Sequence, residues 1–237
     1  MFGKFGKYRQ KNLDNWHYRN LFWSIVLLLI FTSFVQTALE GIITSLLLTV
    51  TILVMVNNLA ITPQWKHCLR GLLAIALGCD LLTLLISSPI ISQKLFTLAD
   101  IVYAVFLGAA IVTISQQLNK AHKVDQNILL GAISVYLLIG ILWFLLYRIA
   151  YIISPSNFDG LQNDGINNFI LLYFSFTTLT TLGYGDITPT DSIAMGLSNM
   201  EAIIGQMYSV IFVARLVSLY TTDMNQHPQS SDDSRAD

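Results

Sequence analysis

Long apolar runs separated by short polar breaks dominate the chain. Six runs, at about 21–39, 42–61, 68–86, 95–115, 127–150 and 192–219, are nearly free of charge. Each is long enough to cross a hydrocarbon core of ~30 Å as a helix. Helix is the expected form, because lipid offers no partner for open backbone groups. The first run follows a basic stretch, as the core of a signal peptide would. No small-residue cleavage site follows it and the second run begins at once, so it reads as a spanning helix. The segment between the fifth and sixth runs has a different pattern. Ser154-Pro155-Ser156-Asn157 and Asp164-Gly165 carry turn chemistry, Asn167 to Thr180 is apolar and aromatic but too short to cross, and Gly183-Tyr184-Gly185-Asp186 follows. This pattern predicts a re-entrant half-helix and an extended return, tolerated at membrane depth only where it lines a watery cavity.

Composition supports the membrane reading. Of 237 residues, 54% are apolar and 11% charged, against roughly 25% charged in soluble domains; mean hydropathy is +0.61. The net charge of −1 carries no information, because the charges are segregated. If the N-terminus is cytoplasmic, all of the 13 Lys and Arg except Lys94 and Arg148 fall on inner segments. That asymmetry places both termini in the cytoplasm of a multi-pass protein in a plasma or bacterial inner membrane. Cys68 and Cys79 are about three helical turns apart, too far for a disulfide, and read as packing residues. The four histidines (His17, His67, His122, His227) show no metal spacing. The organisation expected is a basic N-terminal segment over 1–20, a four-helix bundle over 21–126, a pore module over 127–220 and a polar, disordered tail over 221–237.

The run Thr178-Leu179-Thr180-Thr181-Leu182-Gly183-Tyr184-Gly185-Asp186 matches the potassium-channel signature T-x-x-T-x-G-Y-G, and it lies between two spans on the outer side. The module over 127–220 therefore resembles the pore of potassium channels. The resemblance implies that carbonyls of Thr181, Leu182, Gly183 and Tyr184, with the Thr181 hydroxyl, replace the water shell of K+. Turning consecutive carbonyls to one side needs backbone angles that side chains resist, which Gly183 and Gly185 relieve. Leu182 and Tyr184 would then point outward and brace the ring, with Tyr173, Phe174, Thr178 and Asp186 as filter support. A hydrogen bond from Tyr173 to Asp186 is one option there and a solvent-facing Asp186 the other. The sequence departs from the common pattern at Leu182, where Val or Ile is usual, and at Tyr173-Phe174, where many channels carry two tryptophans. Both departures bear on filter stiffness.

The stretch from Glu201 to Tyr208 and Ala214-Arg215 resembles the inner helix of bacterial single-pore potassium channels, with Gly205 at the position of a gating hinge; a packing glycine is the alternative. At 100° per residue, Ser198, Glu201, Gly205, Tyr208, Phe212 and Arg215 share one face, and Asn199, Ala202, Gln206, Ser209 and Val213 share another. The second is small and polar, so Gln206, Ser209 and Val213 are expected to face the ion. Glu201 is expected to pack behind the filter near the threonine hydroxyls of the half-helix.

Six spans with the pore last is also the order of voltage-gated channels, but the fourth run holds no Lys or Arg, so weak voltage dependence is expected. Glu40, Asp80 and Asp100 are functional candidates as ionisable groups at membrane depth, or structural partners of Arg148 or Lys94.

The fold expected is an all-α integral membrane protein with six transmembrane helices, a re-entrant pore helix and a filter between the fifth and sixth. One pore loop per chain implies a homotetramer. The partners expected are membrane lipid, K+ and, in the cytosol, a separate regulatory subunit. K+ is the permeant ion, and no cofactor, nucleic acid or enzymatic activity is expected. A cation-transporter subunit and a non-conducting regulatory subunit are the alternatives.

Overall fold

The computed structural model describes residues 18–34, 40–58, 63–83, 85–86, 88–120, 125–161 and 167–226. Seven α-helices lie among them: α1 Tyr18–Phe34, α2 Glu40–Asn58, α3 Pro63–Leu82, α4 Pro89–Leu118, α5 Gln126–Ile153, α6 Asn168–Leu179 and α7 Ser192–Gln226. A 3-10 turn, Pro155–Asn157, leads from α5 into β1, Phe158–Asp159, which pairs antiparallel with β2, Thr188–Pro189. The basic residues before Tyr18 and the tail after Gln226 lie outside the described residues.

Local chemistry starts the main helices. Pro89 opens α4 at a position where its missing N–H is no loss. Asp125 caps α5 by accepting from Ile128 N at 2.7 Å. Asn167 caps α6 by accepting from Ile170 N at 3.1 Å. The helix bounds differ from the apolar runs for the same reason, since a helix starts at its cap and not where polar residues end. α3 therefore takes in Lys66 and His67, and α4 takes in Lys94.

Among the described residues, three helical segments are long and apolar enough to cross a membrane: Ile90–Leu118, Gln126–Ile153 and Ser192–Ser218. α1 and most of α2 form shorter apolar helices. At the other end, α7 runs to Gln226, so residues 221–226 are helical where a disordered tail was expected from 221. A growing helix gains one bond per residue, and no helix breaker occurs before Pro228.

α5 is the centre of the fold and packs on α1, α4, α6 and α7. Val135, Leu138, Ile141, Phe144, Leu145 and Tyr147 along it are fully buried. Two glycines bring neighbours close to it. A Cβ on Gly140 would lie 2.7 Å from the Phe176 ring, and one on Gly131 would lie 3.0 Å from Tyr18. Arg148, one of the two cations that charge counting leaves off the inner segments, is inside this core at 3% exposure. By contrast, α7 leaves Ile203, Met207, Val210, Ile211, Val213 and Val217 exposed on the single chain. An apolar surface of that extent needs lipid or protein against it.

Candidate ion-conducting site

α6 ends at a run of threonines, and the chain then turns back. Thr181 N donates to Thr178 O at 2.9 Å, while Leu182 N and Gly183 N both donate to Thr177 O, at 2.8 and 3.2 Å. These bonds tie the start of the 181–185 stretch to the last turn of α6. Beyond them the backbone alternates. Thr181, Gly183 and Gly185 have φ of +58°, +51° and +82°, and Leu182 and Tyr184 between them do not enter the left-handed region. Glycine adopts that region without penalty, but a β-branched threonine does so only under constraint from its surroundings. At Thr181 the constraint is visible in the Thr178 bond and in the side chain, where Gln206 Nε2 donates to Thr181 Oγ1 at 2.9 Å.

The return from this stretch is held on its outer side. Tyr173 Oη donates to Asp186 Oδ2 at 2.8 Å, and the Tyr173 and Tyr184 rings stack at 6.1 Å and 7°. Gly160, with φ of +85°, lets the β1 turn approach the Asp186 carbonyl; a Cβ there would sit 2.1 Å from that oxygen. Thr190 N donates to Asn157 O at 2.9 Å. Phe174, expected beside the filter, turns the opposite way into a cluster with Tyr147 at 4.9 Å and Phe158 at 5.4 Å. The 3.6-residue period explains this split, since adjacent helical positions point about 100° apart.

Behind the threonines, α7 meets α6 and α5 around one carboxylate. Glu201 is fully buried. Its Oε2 accepts from Tyr147 Oη at 2.5 Å, and its Oε1 lies 2.6 Å from Ser175 Oγ. Ser175 Oγ is also 2.7 Å from Gly140 O, so one hydroxyl joins three helices. The partners are thus Ser175 and Tyr147, not the pore-helix threonines, because the threonine run lies a turn further along α6. Four residues on, a Cβ at Gly205 would fall 2.2 Å from Leu179 O. The glycine has a steric reason at this helix crossing, independent of any hinge. On the single chain the residues of α7 differ in burial, with Ala202 half-buried. Glu201 and Gly205 are buried, with Tyr208 and Phe212 half-buried, while Asn199, Gln206, Ser209 and Val213 are exposed on the single chain. Ser209 Oγ donates to Gly205 O at 3.0 Å.

The first four helices carry buried ionic groups of their own. Asp100 pairs with Arg148, and Tyr103 Oη donates to Asp80 Oδ2 at 3.1 Å. Glu40 opens α2, and its side chain lies outside the described residues. Among the described residues, no group of three or more His, Cys, Asp or Glu could hold a metal ion. Tyr147, Ser175 and Asn168 were missed as site residues. Their only sequence signal was a polar group inside an apolar helix, which does not name its partner.

A family model described as an ion channel matches residues 131–222, which run from α5 through the return loop into α7. Over 94 residues the chain is 32% identical to Two-pore potassium channel 3 of Arabidopsis thaliana. The matches point to an ion channel. That alignment covers 39% of this chain and 19% of the relative, so the chain spans about a fifth of the relative's length. No solved structure matches. With the apolar helices, these findings indicate a membrane protein with a channel-like segment.

Proposed function

We propose that the chain is one subunit of a homotetrameric, potassium-selective channel that passes K+ passively across a cell membrane. The observation that carries this reading is the alternation of φ sign over Thr181, Gly183 and Gly185. Alternating left- and right-handed residues turn successive carbonyls to one side, so a single strand presents a column of oxygens to an ion stripped of water. Thr181, Leu182, Gly183 and Tyr184 supply those oxygens, and four copies close the ring about one axis. The bonds from Leu182 N and Gly183 N to Thr177 O hold the inner end of the column. The Tyr173–Asp186 bond and the Tyr173–Tyr184 ring stack brace the outer end. The C-terminal end of α6 directs partial negative charge toward the cavity, which favours a cation there. Gln206, Ser209 and Val213 line that cavity, and the apolar outer face of α7 packs on neighbouring subunits and lipid. The four helices before the pore complete six crossings, with both termini in the cytoplasm.

The test is a planar-bilayer recording from the purified full chain under bi-ionic potassium and sodium. A reversal potential that follows the potassium gradient, with block by barium, is the expected result. Barium resembles K+ in size and binds the same carbonyls. Equal permeability to the two cations would overturn the reading.

A further inference from the structure

α1 and α2 touch the pore helix directly, and α4 reaches its first residue through a buried guanidinium. Arg148 Nε donates to Asp100 Oδ2 at 2.8 Å, one terminal nitrogen bonds Asp100 Oδ1, and the other donates to Asn168 Oδ1 at 3.1 Å. Asp100 belongs to α4, Arg148 to α5, and Asn168 is the first residue of α6. All three side chains are buried, at 0%, 3% and 4% exposure, and the Phe144 ring lies under the guanidinium at 5.3 Å. An arginine presents its donors in a rigid planar fork, so Asp100 sets the plane of the guanidinium and thereby the direction of its third bond. A buried ion pair contributes little stability over apolar side chains of the same volume. Geometric specification is the better reason for placing one here.

We infer that Arg148 is a positioning residue for conduction: held by Asp100, it sets the start of the pore helix and so couples the four-helix bundle to the filter. α6 is a rigid rod of 12 residues, about 18 Å long at 1.5 Å per residue. Its far end carries Thr177 O, the acceptor for Leu182 N and Gly183 N. A shift at Asn168 therefore appears at the filter. The other end of α4 is also attached to the pore, through Arg215, which donates to Leu118 O at 3.0 Å and Asn119 O at 2.7 Å. Movement of α4 thus reaches both the pore helix and the inner helix. This gives the bundle a role in gating that needs no charge on α4, and it rests on the channel reading above.

Two readouts on the full-length protein in lipid test the coupling, and only one of them depends on conduction. Hydrogen exchange of the α6 amides is compared for wild type, Asp100→Asn, Asn168→Ala and Asn168→Asp. Asp100 makes no direct bond to α6, and Asn168→Asp keeps the acceptor. The expected result is exchange faster by on the order of ten-fold in α6 for Asp100→Asn and Asn168→Ala, as for loss of one hydrogen bond to a charged group. Asn168→Asp should behave as wild type. Open probability of single channels in bilayers should follow the same order. Exchange in α6 unchanged in both disrupting variants, or Asn168→Asp as disturbed as Asn168→Ala, would overturn the coupling. If Asp100→Asn does not fold, the two Asn168 variants decide the matter between them. A wild-type protein that carries no potassium current overturns the channel reading, while the exchange comparison still tests the coupling.

Discussion

Replacing Gly205 by alanine adds one methyl group where α7 crosses the end of α6. The new Cβ would lie 2.2 Å from Leu179 O, 2.9 Å from Leu179 Cδ1 and 3.1 Å from Leu179 C. Ordinary van der Waals contact begins at 3.4 Å, so the helices must part by about 1.2 Å. The leucine methyl can turn aside, but the carbonyl cannot. The residues after it are fixed by Thr180 N bonding Phe176 O and Thr181 N bonding Thr178 O. Overpacking costs about 1–3 kcal/mol, and a backbone obstacle puts this site at the upper end. Alanine recovers about 1 kcal/mol of helix propensity. The balance is about 2 kcal/mol against the packed arrangement, or about thirty-fold in its equilibrium constant. Gly108 in α4 is the control, because a Cβ there meets nothing within 4 Å. Gly108→Ala should be neutral or stabilise by about 1 kcal/mol. The assay is thermal unfolding of the full chain in detergent, where Gly205→Ala should lower Tm by about 4–8 °C. A Gly205→Ala protein as stable as Gly108→Ala would refute the contact between α7 and Leu179.

Three further outcomes follow from the site. Ser209→Ala and Gln206→Ala should change the affinity of internal quaternary-ammonium block, whereas Glu201→Gln should alter open probability and leave block unchanged. Loss of block in Glu201→Gln with normal gating would put the carboxylate in the cavity. Tyr173→Phe keeps the stack on Tyr184 but loses the Asp186 bond, so current at low external potassium should decay several-fold faster; unchanged decay would show that the bond does not hold the filter. Voltage dependence should be weak, because each charge moved across 100 mV supplies about 2.3 kcal/mol and Lys94, near the start of α4, is the only Lys or Arg in that helix. A gating charge of several elementary units per channel would contradict this.

Local features of the site were legible in the sequence. The half-helix over 167–180, the glycines at 183 and 185 and the two faces of α7 follow from turn chemistry and helical period, which act within a few residues. Charge counting had a narrower reach. It registers the sign of Arg148 and not its surroundings; Arg148 was open as a partner for Glu40, Asp80 or Asp100, and the choice of Asp100 depends on α4 and α5 lying side by side.

The same limit applies to Glu201, Gly205 and Phe174. The sequence by itself determined that the backbone could turn at Gly183 and Gly185, because backbone freedom at glycine belongs to the residue; the left-handed Thr181 depends on its surroundings. It determined also which face of α7 carries the carboxylate. Only the tertiary structure decided that Tyr147 and Ser175 receive that carboxylate, that Leu179 O requires a glycine opposite it, and that Arg148 joins α4 to Asn168. Each of these is a contact among two or three helices separated by tens of residues. Such contacts are set by how closely whole helices approach, which no local pattern encodes.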